Sequence, residues 1–317
     1  MVILQKAVFK KVYSNRSLYE RELNGYLFTN KYWQNAPKLL SSTDDAGIFS
    51  LVYEDIRLNE AKPQLITDLL ACNIPVQNWD EILSLYLNVT KNYSKRKKAG
   101  GGTQLFYLDR LGSLNQQLHD DYKRICSSGG SYVVNGKTVI LSEDLINNVL
   151  KNVSGLTNGL CIPSQGDFHE RNIFSDGTVI DFEGAGWNLL ATDIATFLWH
   201  SFFAGNHFGP SYATWSTAQD KNKHSNEEQQ VYINNQNVNV ELSSARHKMI
   251  NDYVDKYLLN INLDSNDAQA VSAAIAFRLL SMFSVPKMKL LDRKIVYILA
   301  NYFLQYPLFD AVDKLLY

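Results

Sequence analysis

Cysteine is scarce: Cys72, Cys126 and Cys161 are the three in a chain of 317 residues. They are widely spaced, odd in number and without the paired spacing of a metal site, so neither a disulfide framework nor a zinc module is implied, and reduced thiols in a cytosol are expected. Long hydrophobic runs are missing too. The most apolar helical stretch, Val271 to Val285, is interrupted by Arg278 and is too short to span a bilayer, and the N-terminus reaches Lys6 after a few apolar residues. A soluble, cytoplasmic protein is expected. Neither sign of charge dominates: 31 Lys plus Arg stand against 32 Asp plus Glu, which gives no support for nucleic-acid or general membrane binding. His119, His169, His200, His207, His224 and His247 form no close ligand pair, which disfavours metal binding through imidazole. Glycine does not occur before Gly25, and no solenoid-length repeat is evident.

What the chain does have is concentrated in Gln165-Gly166-Asp167-Phe168-His169-Glu170-Arg171-Asn172-Ile173-Phe174, followed at once by Ser175-Asp176-Gly177-Thr178-Val179-Ile180-Asp181-Phe182-Glu183. Asp176-Gly177 between short apolar runs is a two-residue hairpin signal, which predicts Ser175 opposite Thr178, Phe174 opposite Val179, Ile173 opposite Ile180 and Asn172 opposite Asp181. Facing residues on paired strands hold their Cβ atoms roughly 5 Å apart, so an amide oxygen and a carboxylate would converge where a hard cation binds both. Asp167 lies on the loop entering the hairpin. There it could accept a proton from an attacking hydroxyl while Asn172 and Asp181 hold magnesium on the phosphates of a nucleotide.

The pattern Gly-Asp-x-His-x-x-Asn followed by Ile-Asp-Phe-Glu resembles the aminoglycoside phosphotransferase and choline kinase group of the protein-kinase-like superfamily. Further on, Ile180 to Asn188 and then Asp193-Ile194-Ala195 are similar to the choline and ethanolamine kinase signature. The resemblance implies an α+β, bilobal protein-kinase-like fold with a reduced N-terminal β-lobe and a mostly helical C-terminal lobe. It implies Asp167 as the catalytic-loop aspartate, Asn172 and Asp181 as metal ligands, Asp193 as a helix-borne buttress of that loop, and Mg2+ with ATP or GTP as co-substrate. His169 matches a residue common in the family's loop, with a structural hydrogen-bonding role. The chain departs from the family at Gln165, where His is usual, and at Trp199-His200-Ser201, where choline kinases carry an acidic residue and Trp. The acceptor is therefore left open as a small-molecule hydroxyl.

The rest of the chain divides at about residue 56, into a truncated N-lobe and hinge (1–56) and a helical C-lobe (57–317) with its catalytic loop at 164–183. Residues 3–13 read as a strand that resembles the kinase strand bearing the phosphate-contacting lysine, which places Lys10 in that role, with Lys11 competing because alternation alone does not identify the cleft face. The helix opening at Ser17 offers Glu22 as the ion-pair partner of Lys10, with Glu20 as the alternative. Pro37 to Leu40 and Ile48 to Tyr53 read as strands about the turn Asp44-Asp45-Ala46-Gly47. Glu54, Asp55 and Ile56 then fall at the hinge, whose backbone in the family meets the adenine edge. Few residues precede Lys10, so the glycine-rich phosphate cover is expected to be missing or supplied by another segment, a second copy of the chain or a partner.

Ile82, Leu83, Tyr86 and Leu87 follow the spacing of a buried helix face. The basic run Lys91 to Gly102 reads as a solvated linker, or alternatively a mobile anion-binding loop. Tyr132 to Ile140 is a hairpin about Asn135-Gly136, and a second hairpin has Val231-Tyr232-Ile233 and Val238-Asn239-Val240 as arms after a polar run from residue 216, an insertion that could lie over the substrate. Phe197, Trp199, Phe202 and Phe203 read as core, with an aromatic cage for a cationic substrate as the alternative. Ile295, Ile298, Leu299, Tyr302 and Phe303 give an amphipathic helix in the tail. Three readings stand together: a phosphotransferase acting on a small-molecule hydroxyl, a pseudokinase that keeps the fold as a binding or scaffold protein with weak or no turnover, and transfer to a protein or peptide hydroxyl, which needs an open groove.

Overall fold

The structure of the protein, a computed structural model, describes residues 8–33, 35–45, 47–58, 62–126, 130–154, 156–213 and 227–317, with residues 104 and 105 described by backbone alone. The opening of the strand expected over 3–13, Ala46 of the expected turn and the polar run up to residue 226 lie outside the described residues.

The chain is a mixture of helices and small sheets. It begins with β1 (Val8–Tyr13) and α1 (Arg16–Tyr32), then β2 (Leu39–Asp45) and β3 (Ile48–Glu54), which complete an antiparallel sheet in the order β1-β3-β2. The central strand decides which side of β1 faces inward. Lys11 lies opposite the fully buried Leu51, whereas Lys10 lies opposite Val52 and is exposed. Asn15 caps α1 by accepting from the Leu18 amide at 3.0 Å, satisfying one of the helix's free N–H groups. Its buried stripe is Tyr19, Glu22, Gly25, Tyr26 and Thr29, the spacing of one helix face. At Gly25 a Cβ would meet the Phe182 carbonyl oxygen at 1.8 Å, so only glycine lets the helix lie directly on that backbone.

Beyond β3 a 3-10 turn at Ile56–Leu58 leads into α2 (Ile66–Ala71) and α3 (Trp79–Tyr93), where Ile82, Leu83 and Tyr86 are buried and Leu87 half-buried. The basic run is neither a linker nor a loose loop. Lys95–Lys98 is a strand, β4, paired with β7 (Asn158–Ser164), which in turn pairs with β8 (Gly186–Leu189). Alternation sends Lys95 and Lys97 to one side, where their ammonium groups lie 3.9 and 4.5 Å from the centre of the Trp187 ring, and Arg96 to the other, against Asp264 at 2.6 Å and Asp267 at 2.8 Å. The following glycines allow α4 (Gly102–Arg110) to start in contact with the backbone after Glu183, whose carbonyl oxygen would lie 2.2 Å from a Cβ on Gly102.

Next come α5 (Gln116–Cys126), the hairpin β5 (Ser131–Val134) and β6 (Lys137–Ile140), and α6 (Leu145–Ser154). After β8 the chain enters α7 (Leu190–Trp199), every residue of which is buried, then a π-helical stretch His200–Phe208 and the short α8 (Gly209–Tyr212). The second hairpin, β9 (Gln230–Asn234) and β10 (Asn237–Glu241), does not line the cleft described below. It joins the first hairpin through a parallel β5–β10 pairing at Val133 and Val134, in the order β6-β5-β10-β9. The chain closes with α9 (Ser244–Lys256), α10 (Ser265–Ser281), α11 (Leu290–Gln305) and α12 (Leu308–Leu316). The expected tail face is on α11, with Ile295, Ile298, Leu299, Tyr302 and Phe303 all buried. Among the described residues no helix is long and apolar enough to cross a membrane.

Candidate active site

The segment between β7 and β8 is held from both sides by Gln165. Its Oε1 accepts from the Asp167 amide at 2.9 Å, and its Nε2 donates to the carbonyls of Ile180 (2.8 Å) and Asp181. One buried amide thus ties the position of Asp167 to that of Asp181. Phe168 sinks into the core and stacks on Tyr86 with ring centres 4.3 Å apart and planes within 4°. The Tyr86 hydroxyl donates to Asp193 Oδ2 at 3.2 Å, so Asp193 reaches the loop through two stacked rings. Complete burial pushes the Asp193 carboxyl up to about 7.

Asp167 is clamped by its neighbours. His169 Nδ1 accepts from the Arg171 amide at 3.2 Å, which assigns the ring proton to Nε2, and Nε2 meets Asp167 Oδ2 at 3.1 Å. The Asn172 side-chain amide also donates to Asp167, to its carbonyl and to Oδ2, both at 3.1 Å. Among the described residues Oδ1 has no donor. Burial opposes the charged form of Asp167, but His169 and the Arg278 charge outweigh it and hold the carboxyl well below the usual carboxylate range.

The hairpin that follows differs from the expected register by one residue. Ile173 bridges Val179, not Ile180, because Gly177 at φ 83° adds a third residue to the loop. The Gly177 amide donates to the Phe174 carbonyl at 2.9 Å and the Phe174 amide to the Thr178 carbonyl at 2.8 Å, a turn followed by a glycine bulge. Asn172 therefore pairs through its carbonyl with the Ile180 amide at 3.0 Å, and does not face Asp181. Asp181 comes to the cleft by another route, a left-handed backbone at φ 65° that a non-glycine residue adopts only under constraint.

Lys11, not Lys10, supplies that constraint. Its ammonium lies 2.6 Å from Asp181 Oδ1 and 2.9 Å from Glu22 Oε1, while Glu22 Oε2 accepts from the Phe182 amide at 3.1 Å. Lys11 is pulled above the ordinary lysine range because Asp181 and Glu22 together outweigh burial, the largest single influence. Lys10 points to solvent because its register on β1 is the outward one. Glu20 pairs with Arg16 on the surface at 2.9 Å, which leaves Glu22 as the buried glutamate.

Asp167, Asn172 and Asp181 converge on one cleft of about 490 Å³, walled by α1 through Leu18 and Arg21, by α4 through Thr103 and Phe106, and by the ends of α7 and α10. Glu54, Asp55 and Ile56 do not line it; Asp55 is engaged with Arg57 at 2.6 Å. A larger hollow of about 720 Å³ near α6 and α12 has a single carboxylate, Asp264, which is already paired with Arg96. The aromatic residues Phe197, Phe202 and Phe203 are core, and Trp199 alone of that group touches the cleft.

Sequence reasoning did not find Glu170, which anchors the loop from beneath. Its carboxylate takes a two-pronged grip from Arg246, at 2.7 and 2.8 Å, and Arg246 also binds Glu227. Burial works against the Glu170 charge, yet Arg246 holds its carboxyl well below the usual range. Arg278 was visible in the sequence only as an interruption of an apolar run; here it lies against the cleft.

The chain matches no protein-family model and no curated protein sequence. Among solved structures it is similar to a glucosamine kinase in complex with glucosamine, ADP and inorganic phosphate, with 10% identity over 94% of this chain and 76% of the other and a TM-score of 0.46. Another glucosamine kinase structure, crystal form A, aligns with 11% identity over 94% of this chain and 73% of the other, with a TM-score of 0.43.

Proposed function

We propose that the chain is a magnesium-dependent phosphotransferase that moves the γ-phosphoryl group of ATP or GTP to a hydroxyl of a small molecule, as its resemblance to the aminoglycoside phosphotransferase and choline kinase group implies. The observation that carries this reading is the convergence of Asp167, Asn172 and Asp181 on one cleft, with Lys11 and Glu22 braced behind Asp181. On this reading the layout is bilobal. Residues 1–56 form the small lobe and hinge, with the backbone of Glu54 to Ile56 meeting the adenine, and residues 57–317 form the helical lobe. Free cysteines suit a cytoplasmic setting.

In the transfer, the acceptor oxygen bonds to the γ-phosphorus and the bond from that phosphorus to the β,γ-bridging oxygen breaks. The hydroxyl proton passes to Asp167, leaving a phosphorylated acceptor and a nucleoside diphosphate. Asp167 is a weak base, which suits a loose transition state in which the proton is taken late and aiming the hydroxyl matters most. His169 and Asn172 fix Oδ2 and leave Oδ1 to receive the hydroxyl. Lys11 stays cationic and can turn its remaining donor toward the phosphates.

Two oxygen donors fit magnesium: the Asp181 carboxylate, whose side chain is 39% exposed, and the Asn172 amide oxygen, freed because its nitrogen is the atom bound to Asp167. Among the described residues no group of three His, Cys, Asp or Glu could hold a metal, and magnesium in nucleotide sites commonly takes one or two protein oxygens with water and phosphate. When bound it would neutralise charge on the transferring phosphoryl group. Thermal-shift screening of ATP and GTP with and without magnesium, followed by a panel of hydroxyl compounds scored by diphosphate release, tests the reading. Magnesium-dependent stabilisation and acceptor-dependent release are expected; nucleotide indifference would refute it.

One observation favours the pseudokinase instead. Lys11 occupies Asp181 Oδ1 at 2.6 Å, an atom a metal would need. Tight nucleotide binding without diphosphate release across the panel would select that reading.

A further inference from the structure

Arg278 on α10 is 2% exposed, and a guanidinium so deep is ordinarily met by a carboxylate. Here it is met by rings. Its Nε donates to the Tyr107 hydroxyl at 3.0 Å, and the centres of Phe106, Tyr107 and Trp199 lie 5.1, 5.4 and 5.5 Å away. Among the described residues its two terminal nitrogens have no hydrogen-bond partner and no carboxylate is within ion-pair distance, yet the side chain lines the cleft beside Asp167. Arg110 on α4 lines the same wall, 3.8 Å from the Phe106 ring, and it too lacks an ion-pair partner among the described residues. Burial and the Arg278 charge work against the charge on Arg110 and outweigh the support of Asp109, Asp167 and Glu183. Two cations without an ion-pair partner around one ring repel each other and lose hydration, a cost that an anion held directly between them would reduce.

Resting on the phosphotransfer reading above, we infer that the phosphoryl acceptor is anionic: a small hydroxylated carboxylate or phosphomonoester whose acid group lies between Arg278 and Arg110 while its hydroxyl reaches Asp167. A forked guanidinium matches either acid group, and the rings fix its plane. The pair of cations also offsets the repulsion an anionic acceptor would meet from Asp167 and the nucleotide phosphates. The same arrangement argues against a cage for a cationic acceptor, because the ring faces that would attract an ammonium group already meet guanidinium groups.

Matched acceptors decide the matter: glycerol against glycerate and glycerol phosphate, and glucose against gluconate and an amino sugar, each scored by diphosphate release in wild type, Arg278→Gln and Arg110→Ala. The anionic member of a series is expected to lead by about tenfold or more in kcat/KM, the carboxylate and phosphate arms showing which acid is taken. Each variant should raise the acceptor KM by about tenfold to a hundredfold, while the KM for nucleotide stays unchanged. Preference for a neutral or cationic acceptor overturns the inference. So does an equal loss on neutral and anionic acceptors, which would assign the arginines to the transferring phosphoryl group. Arg110 is half-exposed, so its variant carries the test if Arg278→Gln does not fold. If no acceptor turns over, calorimetric titration with inorganic sulfate replaces the rate assay: binding lost in either arginine variant upholds the anion site, and binding absent or unaffected overturns it. Failure of the phosphotransfer reading is recognised separately, by the absence of magnesium-dependent nucleotide binding.

Discussion

Replacing Lys11 by Met tests the part of the site that the sequence left open between two lysines. The substitution removes the cation between Glu22, which is 2% exposed, and Asp181. Losing one partner of a fully buried pair costs about 3–5 kcal/mol. Here the Lys11 and Asp181 side chains are 30% and 39% exposed, so solvent screening reduces the expected loss to about 1–3 kcal/mol. Burial, with Asp181 and Glu183 adding to it, pushes the Glu22 carboxyl up to about 7 against the pull of Lys11. Without Lys11 that push is unopposed and Glu22 takes up a proton, which also limits the loss. At roughly 2–4 °C per kcal/mol the melting midpoint should fall by about 2–12 °C. Lys10→Met, on the solvent side of β1, should stay within about 0.5 kcal/mol. The double variant Lys11→Met, Glu22→Gln should recover a good part of the loss, because no unpaired buried carboxylate remains. Denaturant unfolding of wild type, Lys11→Met, Glu22→Gln and the double variant measures the cycle, and nucleotide titration should show affinity falling about tenfold to a hundredfold with Lys11→Met alone. Equal effects of Lys10→Met and Lys11→Met, or strictly additive ones from Lys11 and Glu22, would refute the reasoning.

Asp167→Asn should lower diphosphate release by about a hundredfold or more while leaving nucleotide affinity and folding nearly intact; steady-state kinetics with unfolding curves checks both. Asp181→Ala should remove most of the magnesium dependence of nucleotide binding, read by titration with and without the ion. Asp193 has a folded-state pKa raised to about 7 by burial, so the folded state binds more protons than the unfolded state between about pH 4 and pH 7, and stability from this group falls as pH rises through that window. Unfolding free energies of Asp193→Asn should lack this decline, which at 1.36 kcal/mol per unit reaches at most roughly 4 kcal/mol. Gly25→Ala should destabilise the protein by about 2 kcal/mol or more, since its Cβ would stand 1.8 Å from a carbonyl oxygen, and should weaken nucleotide binding in the same titration.

Several of these positions were legible in the chain and several were not, for physical reasons. Asp176-Gly177 announced a turn correctly, but one residue at φ 83° converts a two-residue loop into a three-residue loop, and composition does not distinguish them. Alternation on β1 separated Lys10 from Lys11 without identifying the inner one, because that depends on Leu51 of a partner strand. The basic run looked solvated since its five cations have no acidic neighbours within the run; Trp187, Asp264 and Asp267 all arrive from far along the chain. The first hairpin was readable from its Asn135-Gly136 turn and the second from its two arms, whereas their union in one sheet was not, since it rests on a pairing across about a hundred residues. The grip of Arg246 on Glu170 left no periodic trace in the sequence for the same reason.

The bare backbone at Gly25 bears on how the cleft meets its ligand. With no side chain between α1 and the Phe182 carbonyl, and with Glu22 bonded to the Phe182 amide one turn earlier, the helix and the segment bearing Asp181 are joined at two points along a single turn. A helix so joined cannot swing away and leave that carboxylate behind. Glu22, Lys11 and Asp181 consequently move as one body, and their mutual geometry exists before any ligand arrives. Association with such a preassembled site costs little ordering entropy, so affinity changes on this side of the cleft should register in the rate of ligand departure and leave the rate of arrival almost unaltered.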